Sequence, residues 1–279
     1  MSHIAVVTDS SSCIPPEVAE KYHIHVAPIH LIIDDVEYRD GIDITVEEFY
    51  ARLRGPSTKF SLGTSGAMQG ELISIFDKLR GKVEGMVIIF LSSKISAAYS
   101  AALTVRDAAD VPIEIVDSQF TTSALGFIAI AAAQAADQGE NMNEVVEAAK
   151  NVMSKVKGFV ALENLDYLRR GGRFSEGSAE QAAQMRPVVT MREGLIKLAD
   201  GTADHDEADE RLLRIMKDNL IPTPLHVAVM YGGLPQKADR LQEKIKARFS
   251  CAELWMTPLT PVLGAHSGPD TLGVAFYNE

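Results

Sequence analysis

The residues best placed to do chemistry in this chain are hydroxyls. Leu91-Ser92-Ser93-Lys94-Ile95-Ser96-Ala97-Ala98 sets three serines within five positions, after the charge-free run of residues 86–90 and before an Ala-rich stretch. A buried strand that ends in hydroxyls and leads into a helix can hold an anion. The first helical turn has free N–H groups and a partial positive charge, and serines add donors without adding formal charge. Capping accounts for one such serine; three together suit a ligand as well as a cap. Asp9-Ser10, Thr64-Ser65 and Asp117-Ser118 repeat the pattern of polar residues closing an apolar run. Near the other end, His266 stands in Gly264-Ala265-His266-Ser267-Gly268-Pro269-Asp270, where small residues let backbone approach a neighbour closely. Neutral His266 could donate one ring N–H to a carboxylate, or charge and pair with it. Between residues 169 and 192, five arginines (Arg169, Arg170, Arg173, Arg186, Arg192) face two glutamates, a local charge of +3 in a chain of net charge −11. Guanidinium forks of this kind fit carboxylate or phosphate, on a ligand or on a partner.

These residues need a scaffold that brings strand ends together, and the hydropathy pattern supplies one. Apolar strand runs at residues 3–8, 24–33, 86–91 and 113–116 alternate with helical patterns at 68–79, after the serine loop, and from about 121 to 138. That alternation predicts an N-terminal Rossmann-like parallel sheet with helices on both faces, whose ligand lies off the carboxyl ends of the strands. Thr45-Val46-Glu47-Glu48 has capping-box spacing and starts a helix, and Asn141 starts another that ends near residue 157. Residues 60–66 read as a polar loop. Residues 158–279 are expected to form a second α/β domain with a mixed sheet, so the domains are set at 1–157 and 158–279. Strands are expected there at 159–162, at 187–191 and 195–198 as a hairpin, and at 225–231, 252–256, 261–263 and 272–276. Helices are expected at 204–220 and 235–249. The helix from residue 121 carries a small-residue face (Ala124, Gly126, Ala129, Ala131, Ala132, Ala133) that suits either an alkyl tail or close packing on a sheet.

Composition narrows the function. With 279 residues, 46% of them hydrophobic, a large core is expected, and a net charge of −11 argues against a nucleic-acid or anionic-membrane surface. Cys13 and Cys251 lack metal-type spacing and read as reduced thiols, which fits the cytoplasm. The N-terminal residues carry no basic, signal-like region, and residues 126–136 are too short to span a bilayer, so no signal peptide and no integral membrane segment is expected. His23, His25 and His30 have no cysteine or carboxylate cluster beside them and read as ordinary strand residues. Nucleotide-binding glycine loops, nucleophile elbows and zinc-protease helices are all missing from the sequence.

Taken in order, Val7-Thr8-Asp9-Ser10, Thr64-Ser65, the Leu91–Ser96 serine loop, Val116-Asp117-Ser118, Gly171-Gly172-Arg173 and Gly264-Ala265-His266-Ser267-Gly268-Pro269 resemble the DegV family over essentially the whole chain. The resemblance implies a two-domain protein that holds one long-chain fatty acid, such as palmitate, between its domains. It implies a lipid carrier with no catalysis of its own and no cofactor. A separate ATP-dependent fatty acid kinase subunit would convert the bound carboxylate to acyl phosphate for phospholipid synthesis. Carried over by position, Thr64 and Ser96 would hold the carboxylate with Ser65, Ser93, His266 and Ser267 close by, while Arg173 and Arg170 would face the kinase. The chain departs from the family pattern at Gly66-Ala67-Met68 and Ala97-Ala98, which bears on pocket width near the headgroup. It departs again at Asp270, which is expected to face solvent. Two other functions fit the same residues. One is an enzyme acting on a small phosphorylated or carboxylated metabolite with His266 as acid and base. The other is a partner-binding module working through the basic face at 169–192.

Overall fold

The computed structural model describes residues 4–55, 61–66, 68–174, 186–200, 207–219 and 224–278. The first sheet is parallel, in the order β2 (His25–Ala27), β1 (Ile4–Asp9), β6 (Gly85–Phe90), β7 (Ile113–Asp117). Every residue of β1 and β6 is buried, which requires both faces of the sheet to be covered. Helices α3 (Gln69–Leu79) and α4 (Ala98–Val105) pack on its strands, as do α5 (Thr122–Asp137) and α6 (Met142–Lys155). Short helix α1 (Pro16–Lys21) links β1 to β2.

The 24–33 run does not form one strand. Pro28 cannot donate to a ladder, and the run divides into β2 and β3 (His30–Ile33). β3 belongs to a small antiparallel sheet, between β4 (Val36–Arg39) and β5 (Leu62–Ser65). The expected loop at 60–66 therefore contains a strand. Its ladder to β3, with Leu31 opposite Thr64, supplies the order that its short polar sequence does not signal. The two expected capping boxes are both formed. Thr45 caps α2 (Val46–Arg54) against Glu48, and Asn141 caps α6 against Glu144.

From residue 157 onward all described strands join a six-stranded mixed sheet. Its order is β10 (Leu195–Asp200), β9 (Val188–Arg192), β8 (Lys157–Ala161), β13 (Leu272–Asn278), β11 (Leu225–Tyr231), β12 (Cys251–Pro258). Only β11 and β12 pair in parallel. Helices α8 (Ala208–Asp218) and α9 (Pro235–Arg248) bury Leu212, Leu213, Met216, Leu241 and Ile245 on this sheet. Short α7 (Asp166–Arg170) follows β8. Residues 261–263, expected as a strand, instead open α10 (Pro261–Ser267). Three apolar residues cannot separate strand from helix, and Pro261 at the first helical position after the extended Thr260 decides it.

The helix pair α5–α6 touches both large sheets, α5 through β1 and β6 on one and β8 and β13 on the other. Phe127 of α5 packs its ring 5.3 Å from Trp255 and 5.2 Å from Tyr277. Most of the small-residue face is packing. A β-carbon on Gly126 would sit 2.6 Å from the Ser12 carbonyl, and Ala129 and Ala132 are fully buried. The C-terminal segment is fastened back onto the first elements. Tyr50 donates to the Leu259 carbonyl at 3.2 Å, the Val262 N–H donates to buried Asp40 at 3.2 Å, and Gly264 lies against Phe49 and Tyr50. Those contacts bring α10, and His266 with it, beside β5.

Candidate functional site

The carboxyl ends of the parallel strands are braced by carboxylates. Asp9, fully buried at the end of β1, accepts from the Ser11 N–H at 2.9 Å, the Ser11 hydroxyl at 2.5 Å and the Leu91 N–H at 2.8 Å. Burial raises its pKa to about 6 despite these bonds. Asp117 holds the next turn, accepting the Ser93 hydroxyl at 2.5 Å and the Ser93 N–H at 3.2 Å. Ser92 donates to the Gly194 carbonyl at 2.7 Å, which ties the serine loop to the β9–β10 turn. Ser92 and Ser93 are thus spent on holding the loop. Ser96 accepts from the Ala98 N–H at 3.2 Å, the start of α4, and so retains its own O–H for another acceptor.

Behind Ser96 lies a cavity with about 240 Å³ of room for the centre of a water molecule. Its walls are mostly apolar and come from the mixed sheet, from loops that follow the parallel strands, and from the first turns of α5 and α10. Leu91, Ile95, Phe120, Leu259 and Val262 line it on one side and Val160, Leu162, Val189, Met191 and Ile196 on the other. Five polar residues singled out in the sequence also line it: Thr64, Ser96, Arg173, His266 and Ser267.

Three of these form a chain of contacts. Thr64 Oγ1 lies 2.9 Å from His266 Nε2, and Arg173 Nη2 donates to Thr64 Oγ1 at 3.3 Å. Because Thr64 accepts from Arg173, its own proton is free for the His266 ring. Burial, aided by the positive charge of Arg173, lowers His266 to about 4, so the ring is neutral at pH 7. Its Nδ1 is buried without a partner among the described residues and rests against Gly171, where a β-carbon would stand 2.2 Å away. Arg173 also donates to the Gly171 carbonyl. It is half-buried, burial lowers its pKa, and among the described residues no carboxylate pairs with it. Such a cation beside neutral donors in an apolar hollow suits a single anionic group.

The remaining expected residues lie elsewhere. Ser65 is next to Thr64 on β5, where side chains alternate between faces, and it does not line the cavity. Ser93 is exposed and turned to Asp117, again outside the lining. Arg170 is exposed, with its guanidinium 4.7 Å above the Tyr167 ring. Arg173, expected to face a partner, lines the cavity. Asp270 is turned to Lys237 at 3.5 Å. Gly66 and Ala97, two of the positions that depart from the family pattern, both line the cavity, and Gly66 sits so close to the start of α4 that a β-carbon would be 3.0 Å from the Ala98 nitrogen. Sequence reasoning missed Thr121 and Thr122, which also line the wall. The available signal was the hydroxyl run Thr121-Thr122-Ser123 at a helix start, the same pattern as the serine loop. His30 lies between Glu37 and Glu71, and no group of potential metal ligands occurs among the described residues.

The family model whose description reads "Uncharacterised protein, DegV family" matches residues 3–279. The chain belongs to the DegV family. A DegV domain-containing protein of Streptomyces coelicolor is 30% identical to it, over 98% of this chain and 97% of the relative. Among solved DegV-like structures, DegV of Bacillus subtilis, described as a fatty acid binding protein, superposes with a TM-score of 0.91 at 25% identity, covering 100% of both chains. A stearic acid-binding protein of Eubacterium ventriosum shares the fold with a TM-score of 0.82 at 22% identity, over 100% of this chain and 98% of the other. The DegV fold seen here, a parallel sheet and a mixed sheet with helices around them, is that of these neighbours. Among the described residues no helix is long and apolar enough to cross a membrane.

Proposed function

We propose that this DegV protein binds one long-chain fatty acid, such as palmitate or stearate, and presents it to a separate ATP-dependent kinase subunit that makes the acyl phosphate. The observation that carries this is the apolar cavity with, on its wall, a guanidinium that no carboxylate among the described residues pairs, and a set of neutral polar groups. The fatty-acid-binding relatives of the same fold support it. In this reading Thr64, Ser96, Arg173, His266 and Ser267 surround the carboxylate, while Ser65 and Ser93 brace the loops that carry them. Arg170, exposed on the short helix just before Arg173, faces the kinase, and Arg173 serves both the bound carboxylate and the incoming phosphoryl group. The protein is a carrier and not a catalyst. It works in the cytoplasm, where ATP is available, as two domains that meet near residue 157.

Energetics favour a greasy ligand over a small polar metabolite. Burying a methylene gains about 0.8 kcal/mol, so about fifteen of them gain on the order of 10 kcal/mol before ordering costs are subtracted. Hydrogen bonds to a charged carboxylate add roughly 1.5–3 kcal/mol each, offset by stripping its water. The tail sets affinity and the headgroup sets orientation. The test is native mass spectrometry of the protein purified from bacteria, followed by incubation with ATP and the source organism's kinase subunit. One fatty acid per chain is expected, with acyl phosphate appearing only when the kinase is present. Empty protein that also rejects added palmitate overturns the binding role, and acyl phosphate made without the kinase overturns the carrier role.

A further inference from the structure

Among the described residues two glycines line the cavity, Gly66 and Gly158, and they are glycines for different reasons. Gly66 is held to that type by the protein itself, since its β-carbon would crowd the backbone at the start of α4. Gly158 is not. It lies inside β8, where glycine packs nothing and weakens the strand unless a bulge, a bend or a close neighbour calls for it. β8 pairs with β13 and with β9 without a register shift, so no bulge accounts for it. Its φ lies outside the left-handed region, so alanine suits its backbone. A β-carbon there would find one neighbour among the described residues within 4 Å, the β-carbon of Ala124 at 3.5 Å, an ordinary contact. Gly273 on β13 shows the contrast: its β-carbon would stand 3.1 Å from both the Met230 methyl and the Phe159 carbonyl. The space that Gly158 leaves is not filled by the protein.

That space belongs to the cavity. Side chains alternate along a strand, and Gly158, Val160 and, just past β8, Leu162 share the face that lines it, whereas Phe159 and Ala161 pack into the core on the other face. The row has a direction. Leu162 packs with Leu168 and Phe174, and the Leu168 carbonyl accepts from the Arg173 N–H at 3.0 Å, so this end adjoins the carboxylate cluster. Gly158 is four residues back, about 13 Å away at ~3.3 Å per residue. Ala124 stands against it there, the one residue of the α5 small-residue face that lines the cavity. The Thr190 hydroxyl donates to the Gly158 carbonyl at 2.7 Å and fixes the strand at that point. We propose that the missing side chain at Gly158 sets the length of acyl chain this protein accepts, the terminal methyl of a long saturated acid lying beside Ala124 in the space a side chain would otherwise take. This deepens the fatty-acid reading of the cavity and rests on it.

The experiment is direct binding of saturated acids from eight to twenty carbons to delipidated wild type, Gly158→Ala and Gly158→Val, together with melting of each protein free of ligand. In the wild type each methylene is expected to tighten binding about fourfold until the hollow is full. In Gly158→Ala that gain stops about one or two carbons sooner, so the longest acid that the wild type rewards loses about tenfold relative to the shortest. Gly158→Val takes more of the space, and its gain stops sooner again. Ligand-free Gly158→Ala is expected to melt no lower than the wild type, because alanine is the better strand residue and meets no clash. Length profiles that coincide in all three proteins overturn this inference alone, as does an equal loss at every length, which would place Gly158 beside the headgroup. A ligand-free Gly158→Ala that melts lower overturns it too, by showing that packing demands the glycine. Failure of every acid to bind the wild type overturns the fatty-acid reading as well.

Discussion

At the residue scale, His266 is the group whose state the fold changes most usefully. Its unfolded pKa is near 6.5, and in the folded chain burial and Arg173 lower it to about 4. Between those values the unfolded chain binds more protons than the native one, so stability rises with pH there. The contribution is complete above pH 6.5 and is lost as pH falls through 4, on the order of 3 kcal/mol in all. Asp9 and Asp40 act with the opposite sign. Burial raises each to about 6, so the native state holds their protons more tightly and gains stability as pH falls from 6 toward 4. The useful quantity is therefore a difference. Urea unfolding of ligand-free wild type and His266→Gln at a series of pH values should show the two curves diverging above pH 4, the wild type gaining on the variant up to pH 6.5. Parallel curves would mean that His266 titrates as in water. The chemistry of this residue was legible because a histidine among small residues has few ordinary uses. Which serine faces the ligand was not legible. Ser93 is diverted by Asp117, 24 positions away, and only a folded chain brings those two together.

Elements with a strong period or a cap were readable from sequence: the buried runs of β1 and β6, and the capping boxes at Thr45 and Asn141. Elements held by their neighbours were not. β5 exists because β3 pairs with it, and α10 because Pro261 starts a turn that the first half of the chain then grips. α10 also sets the tightest glycine contact at the site. Gly171 has an ordinary backbone, φ −75°, so alanine there is conformationally free, yet its β-carbon would lie 2.2 Å from His266 Nδ1. Gly172 is the reverse case, with φ +70° and open space around it. Gly171→Ala is expected to push the imidazole off Thr64, cost about 1–3 kcal/mol of stability and weaken fatty-acid binding at least tenfold. Gly172→Ala should cost about 1 kcal/mol through backbone strain alone and leave affinity as it was. Binding and melting measurements on both variants separate a steric role for Gly171 from general damage to the loop. Equal affinities in the two would show that His266 does not orient the headgroup.

At the scale of the whole molecule, two sheets share a helix pair, and a hollow lies between the mixed sheet and the loops that follow the parallel strands, so a ligand there touches both halves. Binding to the native state alone stabilises it by RT ln(1 + [L]/Kd), about 2.7 kcal/mol at a hundredfold excess over Kd. For a chain of this size, about 2–4 °C of melting temperature accompanies each kcal/mol. The dependence on acyl length then reports where the tail lies. Each added methylene that enters the hollow contributes about 0.8 kcal/mol, and one that finds no room contributes nothing or strains the walls. The hollow is finite, so the gain should end at the length that fills it. Melting temperatures of delipidated protein with saturated acids from eight to twenty carbons, at equal free concentration, should climb with length and then level or fall before the series ends. A flat series would place the tail outside the hollow, in solvent, while a climb that continues to twenty carbons would mean that the walls open further than their present packing allows.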